Sequence, residues 1–105
     1  MSETSDSPIL DLLMGMNVAA LEASSLDAQT LMLVRLAALV AVDAPPVSYV
    51  LNMRLAGEVD VDPEQVEGML AGIAPIVGSA RVASAAGKMV RALGIELELA
   101  ELDEG

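Results

Sequence analysis

Three side chains in this sequence combine binding chemistry with an apolar setting: Arg35, Tyr49 and Asn52. Arg35 interrupts the apolar run Leu31–Val42 (LMLVRLAALVAV) and has no acidic residue three or four positions away, so its partner must come from another segment. A guanidinium matches a carboxylate bidentately, which favours an anion contact in a pocket. Alternatively, the stem of Arg35 is buried and its head reaches water or a carboxylate on another helix or subunit.

Tyr49 and Asn52 lie three residues apart on a predicted helix and therefore share one side of it. Such a pair forms either a hydrogen-bonded structural contact or part of a site, because buried polar groups are normally paired. The chain has no Cys and no His, which excludes a disulfide, a thiolate nucleophile and the usual ligands of zinc, copper and haem. We therefore predict no catalytic residue, no metal and no other cofactor.

The acidic segment Glu58-x-Asp60-x-Asp62 resembles the start of a calcium-binding loop. Pro63 stands where such a loop needs its turn glycine, and Met69 stands at the twelfth position, where it needs glutamate. The calcium interpretation therefore fails. We predict a solvated acidic loop that caps the following helix.

The charge of the chain restricts its partners. Sixteen acidic and five basic residues among 105 give a net charge of −11, which repels nucleic-acid phosphates and anionic membrane surfaces. The apolar run of twelve residues is too short to cross a bilayer, which needs about 20. The first eight residues, MSETSDSP, lack the basic region of a secretory signal, so the prediction is a cytoplasmic protein that binds neither nucleic acid nor membrane.

The elements that must position these side chains are helices. Leu31–Val42 is apolar on nearly every side, so we expect it to be the central helix, capped by Ser25 or Asp27 and ended before Pro45. Asp62-Pro63-Glu64 is the clearest helix start. The full prediction is a compact all-α bundle of about five to six helices, with short helices over 8–13 and 17–23, the central helix, and helices over 47–56, 63–74 and 79–93.

This pattern implies one helical domain over residues 8–94, preceded by a disordered start over 1–7 and followed by an acidic tail over 95–105. The tail alternates as I-E-L-E-L, which is typical of an extended segment. Tyr49 is the only aromatic residue, and small residues recur at helical spacing, so few bulky side chains anchor the core. We therefore expect self-association to bury part of the apolar surface.

Four segments together resemble the carboxymuconolactone decarboxylase and alkylhydroperoxidase D-like family. They are LVRLAALVA around Arg35, Asn52-x-x-x-Ala56, VDPEQV from Val61, and APIVGSAR ending at Arg81, and the resemblance spans roughly residues 26–93. It implies an all-helical fold that assembles as a trimer or hexamer. It also implies that Tyr49, Asn52 and Arg81, which matches the family's arginine, fall at or near the positions that line the family's pocket. We predict that Arg81 contacts a small carboxylate there, with Arg35 as the fourth candidate pocket residue.

The residues that carry the family's chemistry are absent. The Cys-x-x-Cys-x-x-x-His motif of the peroxidase branch falls on Pro45, Ser48 and Asn52, and the decarboxylase branch retains the histidine that Asn52 replaces. Asparagine does not titrate near neutral pH and cannot transfer a proton as histidine does. The prediction is a catalytically degenerate member, an oligomeric binding or structural subunit.

Two alternatives remain open at the level of sequence. One is an enzyme, such as a lyase, that holds a small carboxylate with Arg81 and Arg35 and uses a carboxylate such as Glu58 as its base. The other is an acidic protein-interaction module whose C-terminal tail docks on a basic partner.

Overall fold

The computed structural model describes residues 7–104, and from residue 95 onward it describes the backbone alone. Every regular element in this part of the chain is a helix, which confirms the predicted all-α fold and the predicted number of helices. The five helices are α1 (Pro8–Ala23), α2 (Ala28–Ala41), α3 (Pro46–Glu58), α4 (Pro63–Val77) and α5 (Ser79–Glu104). None of the described helices is long and apolar enough to cross a membrane.

Two of these helices begin at aspartate caps that the sequence predicts. Asp27 begins α2, and its carboxylate accepts a hydrogen bond from the backbone N–H of Thr30 at 2.9 Å. Asp62 begins α4 with a reciprocal capping box, in which its carboxylate accepts from the Gln65 N–H at 2.8 Å and the Gln65 side chain accepts from the Asp62 N–H at 2.9 Å. Side-chain acceptors of this kind satisfy N–H groups that the first helical turn leaves unpaired.

α2 packs against α3, α4 and α5, as a central helix must, and α5 likewise packs against α2, α3 and α4. The buried residues of α2 are Met32, Leu36 and Val40, which follow one another at intervals of four and form one face. The rest of the buried core comes from Ala44 in the following loop, Tyr49 and Ala56 on α3, and Ala85, Met89 and Ala92 on α5.

The expectation that α2 is enclosed on nearly every side is wrong for one face. Val34 is half exposed, and Ala38 and Ala41 are exposed as well. The reason is the position of α1, whose backbone does not come close to that of any other helix in the described part of the chain. The bundle therefore consists of α2–α5, and α1 meets it through side chains such as those of Asn17 and Leu21.

The two short helices predicted over residues 8–13 and 17–23 form one continuous helix, α1. A glycine inside a helix costs only about 1 kcal/mol relative to alanine, so Gly15 does not interrupt it. Asn17 lies inside this helix, and its side chain accepts a hydrogen bond from Arg35. The predicted disordered start, 1–7, lies outside the described residues except for Ser7, which caps α1 through the backbone N–H of Leu10.

α3, α4 and α5 also extend beyond their predicted ends. α3 passes Gly57 and ends before a turn in which Asp60 has a φ of 67°. α4 passes Pro75, where the missing N–H removes one donor without ending the helix, and stops at Gly78, whose φ of 93° suits a residue without a Cβ.

The expectation of an extended tail is wrong, since α5 continues through Gly94 to Glu104. Glutamate, leucine and alanine, which make up most of this segment, are strong helix formers. Their intrinsic preference outweighs the alternating apolar pattern that suggested a strand.

Candidate functional site

Arg81 lies exposed near the start of α5 and is bonded to the end of α2. Its guanidinium donates a hydrogen bond from Nη1 to the backbone carbonyl oxygen of Ala41, the last residue of α2. The final carbonyl groups of a helix lack partners within the helix and carry the negative end of its dipole, so a cation there is favourable. In this structure Arg81 joins two helices.

Arg35 finds its partner on α1. Its Nη1 donates to the side-chain oxygen Oδ1 of Asn17 at 2.5 Å. The partner therefore comes from another segment, as the sequence requires, and it is a neutral amide rather than a carboxylate. Among the described residues, this hydrogen bond links α1 to α2.

Tyr49 and Asn52 do not form a hydrogen bond with each other. Asn52 donates from Nδ2 to the carbonyl oxygen of Ser48, one turn earlier on its own helix, at 3.0 Å. Tyr49 is completely buried, and its hydroxyl has no hydrogen-bond partner among the described residues. Burial raises the pKa of Tyr49, and the negative charge of Asp43 raises it further. The phenol is therefore protonated at neutral pH.

A charged cluster that sequence reasoning did not identify lies beside these residues. Asp43, in the loop after α2, accepts from Lys88 Nζ at 2.8 Å and from Ser84 Oγ at 3.2 Å, both on α5. The hydrogen bond and charge of Lys88, followed by the hydroxyl of Ser84, lower the pKa of Asp43. Asp43 also has a φ of 55°, a conformation that aspartate tolerates better than most residues. The cluster fastens the α2–α3 loop to α5.

An apolar groove of about 660 Å³ opens between α3, α4 and α5, with Leu36 of α2 at its base. Apolar residues from all three helices line it, among them Met53, Val66, Leu70, Met89, Val90 and Leu93. Its charged residues are Arg54 and three acids, Glu58, Asp62 and Glu67. We call it the α3–α5 groove. None of the four predicted pocket residues, Arg35, Tyr49, Asn52 and Arg81, lines it.

The most apolar exposed surface belongs to α1, which has no buried residue. Eight large apolar side chains remain 45–68% exposed on this one helix, and we call them the α1 surface. They are Ile9, Leu10, Leu12, Leu13, Met14, Met16, Val18 and Leu21. Contiguous apolar surface of this kind marks an interaction site in most proteins.

No family model, curated protein or solved structure matches the chain. The resemblance to the carboxymuconolactone decarboxylase and alkylhydroperoxidase D-like family therefore stays a prediction that depends on the four quoted segments.

Proposed function

We propose that this protein is a self-assembling helical subunit with a binding or structural role, built on a carboxymuconolactone decarboxylase-like bundle without that family's chemistry. The observation that carries the proposal is the α1 surface. A helix with apolar side chains on nearly every side is stable when other protein covers it, and the chain's own bundle leaves α1 uncovered.

The size of the α1 surface fits a specific protein contact. A fully exposed Leu, Ile, Met or Val presents about 200 Å², so eight such residues at 45–68% exposure present on the order of 900 Å². A standard protein–protein interface buries about 800 Å² on each partner. The α1 surface as a whole is therefore as large as one side of an ordinary interface, and covering all of it takes contacts on more than one face of the helix.

The bonds around the motif positions support a non-catalytic role. Pro45 and Ser48 stand where the family's peroxidases have cysteines, and Asn52, at the histidine position, donates to the backbone of its own helix. A tyrosine is protonated at neutral pH, and burial raises the pKa of Tyr49 further, so it does not serve as a base there. Each predicted pocket residue is accounted for by a structural role or by core packing.

The enzyme alternative makes a distinct prediction about Arg81. A guanidinium has five N–H donors, so the bond to Ala41 leaves others for a carboxylate. Calorimetry with acetate, succinate and muconate compares the wild type with Arg81→Met, which keeps the apolar stem and removes the charge. Millimolar or tighter binding that Arg81→Met abolishes would show that Arg81 holds the carboxylate. The proposed function expects no turnover of a lactone by either protein, whereas turnover that Arg81→Met abolishes would favour the enzyme.

Sedimentation equilibrium of the intact chain at micromolar concentration tests assembly directly. The expected result is a mass that is a multiple of 10.8 kDa, with a trimer or hexamer predicted from the family resemblance. A single species of 10.8 kDa that persists at the highest soluble concentration would overturn the proposal.

A further inference from the structure

The α1 surface and the α3–α5 groove are two apolar features of the same chain that lie on different elements. The groove is lined by α2–α5 and the short α3–α4 loop, and no residue of α1 lines it. α1 in turn makes no close backbone approach to α3, α4 or α5. Each chain therefore presents one uncovered helix and one open groove.

The apolar side chains of α1 have the spacing that a helix needs to dock in an apolar groove. A helix docks in an apolar groove through residues at positions i, i+3 or i+4, and i+7. On α1, Ile9, Leu12 and Met16 have this spacing and are 64%, 60% and 58% exposed. At 100° per residue they lie about 80–140° around the helix from Asn17, whose side chain binds Arg35 of its own bundle. The row formed by Ile9, Leu12 and Met16 therefore lies on a flank of α1, off the side that Asn17 turns to its own bundle.

The charges of the groove disfavour a helix that turns acidic side chains toward it. The groove carries three carboxylates, those of Glu58, Asp62 and Glu67, against the guanidinium of Arg54. The span 9–16 that carries the row has one charged residue, Asp11, which lies about 100–160° around the helix from each residue of the row, so its carboxylate does not face the carboxylates of the groove. Glu22, the other acid of α1, lies beyond the row.

From this match we infer that α1 of one copy docks in the α3–α5 groove of a second copy, with Ile9, Leu12 and Met16 as the inserted row. The inference rests on the proposed function, because it requires self-assembly. The groove volume of about 660 Å³ suits three such side chains, at roughly 100 Å³ each, with part of the helix backbone. Helix and groove are different surfaces, so the contacts form either a reciprocal pair of two copies or a head-to-tail series that closes as a ring or continues as an open filament.

Crosslinking between single-cysteine variants tests this arrangement, and the absence of native cysteine makes each introduced thiol unique. Leu12→Cys on α1 and Val90→Cys at the groove are mixed, unfolded in denaturant, refolded together and treated with a short bismaleimide. The matched control replaces Val90→Cys by Ile76→Cys, since Ile76 is 86% exposed on α4 and does not line the groove. Met16→Cys and Leu93→Cys form a second pair if either first variant refolds poorly.

The expected product is a dimer that joins Leu12→Cys to Val90→Cys, in clear excess over the product with Ile76→Cys. Sedimentation of the same samples separates the possible failures. An oligomer that crosslinks through two copies of Leu12→Cys, or equally well to Ile76→Cys, would overturn the docking in the groove and leave self-assembly intact. A monomer that gives no crosslink would overturn both proposals.

Discussion

Replacing Leu12 and Met16 together by glutamine should weaken self-association and leave the helical bundle folded. Both side chains are more than half exposed in the single chain, and glutamine matches them in helix propensity. Each presents about 100 Å² of apolar surface, worth about 2.5 kcal/mol if it is fully buried at an interface. Association realises only part of the free energy that burial of the two side chains could supply. We therefore expect the double substitution to make the free energy of association about 2–3 kcal/mol less favourable per contact, which raises the dissociation constant roughly 30- to 150-fold.

Sedimentation equilibrium over a concentration series measures this change for the wild type and the double variant. Chemical denaturation at a concentration where both are monomeric measures the bundle separately, because assembly itself raises apparent stability. Ile76→Gln, at a more exposed apolar position outside both surfaces, is the matched control and should assemble like the wild type. If the double variant is a folded protein that assembles as tightly as the control, the assigned role of α1 is wrong.

Three substitutions inside the chain test its local energetics by chemical denaturation and circular dichroism. Tyr49→Phe should leave the free energy of unfolding unchanged or raise it by up to about 1 kcal/mol, because it removes a buried hydroxyl without a partner among the described residues. A decrease of more than about 1 kcal/mol would show that this hydroxyl makes a hydrogen bond. Asp62→Ala should lower it by about 1 kcal/mol through loss of the capping box, whereas an unchanged value would mean that α4 begins without that cap. Gly15→Ala should increase the helical signal and stabilise α1 by about 0.5–1 kcal/mol, since nothing lies within 4 Å of the added Cβ; a loss of helicity would show that α1 bends at this residue.

The helix starts were predictable because their causes are local. Asp27 and Asp62 each meet an N–H group three residues away, and such a contact can be read from the residue types alone. The apolar run of α2 likewise predicted the centre of the bundle. Helix ends were less predictable, because Gly15, Gly57 and Gly94 each lower helix stability by an amount that neighbouring strong helix formers can offset.

The polar contacts depend on the arrangement of helices in space, so the sequence did not predict them. Asp43 and Lys88 are 45 residues apart, and Arg81 reaches the end of α2 across 40 residues. The same holds for the α3–α5 groove, whose lining comes from four helices and a loop. The pattern of α1 is different: its apolar residues are visible in the sequence, but only the structure shows that its own bundle leaves them uncovered.

Hydrogen exchange of the α1 backbone amides, followed as a function of protein concentration, tests the central claim most directly. A 16-residue helix with no packing is marginally stable in water, so α1 of a lone chain should exchange rapidly. We predict that residues 8–23 are protected from exchange at concentrations where the protein is an oligomer of 10.8 kDa chains. These residues should lose protection on dilution to the monomer, while α2 stays protected throughout. Rapid exchange of α1 at every concentration, with α2 protected, would contradict the claim that copies of this chain cover α1.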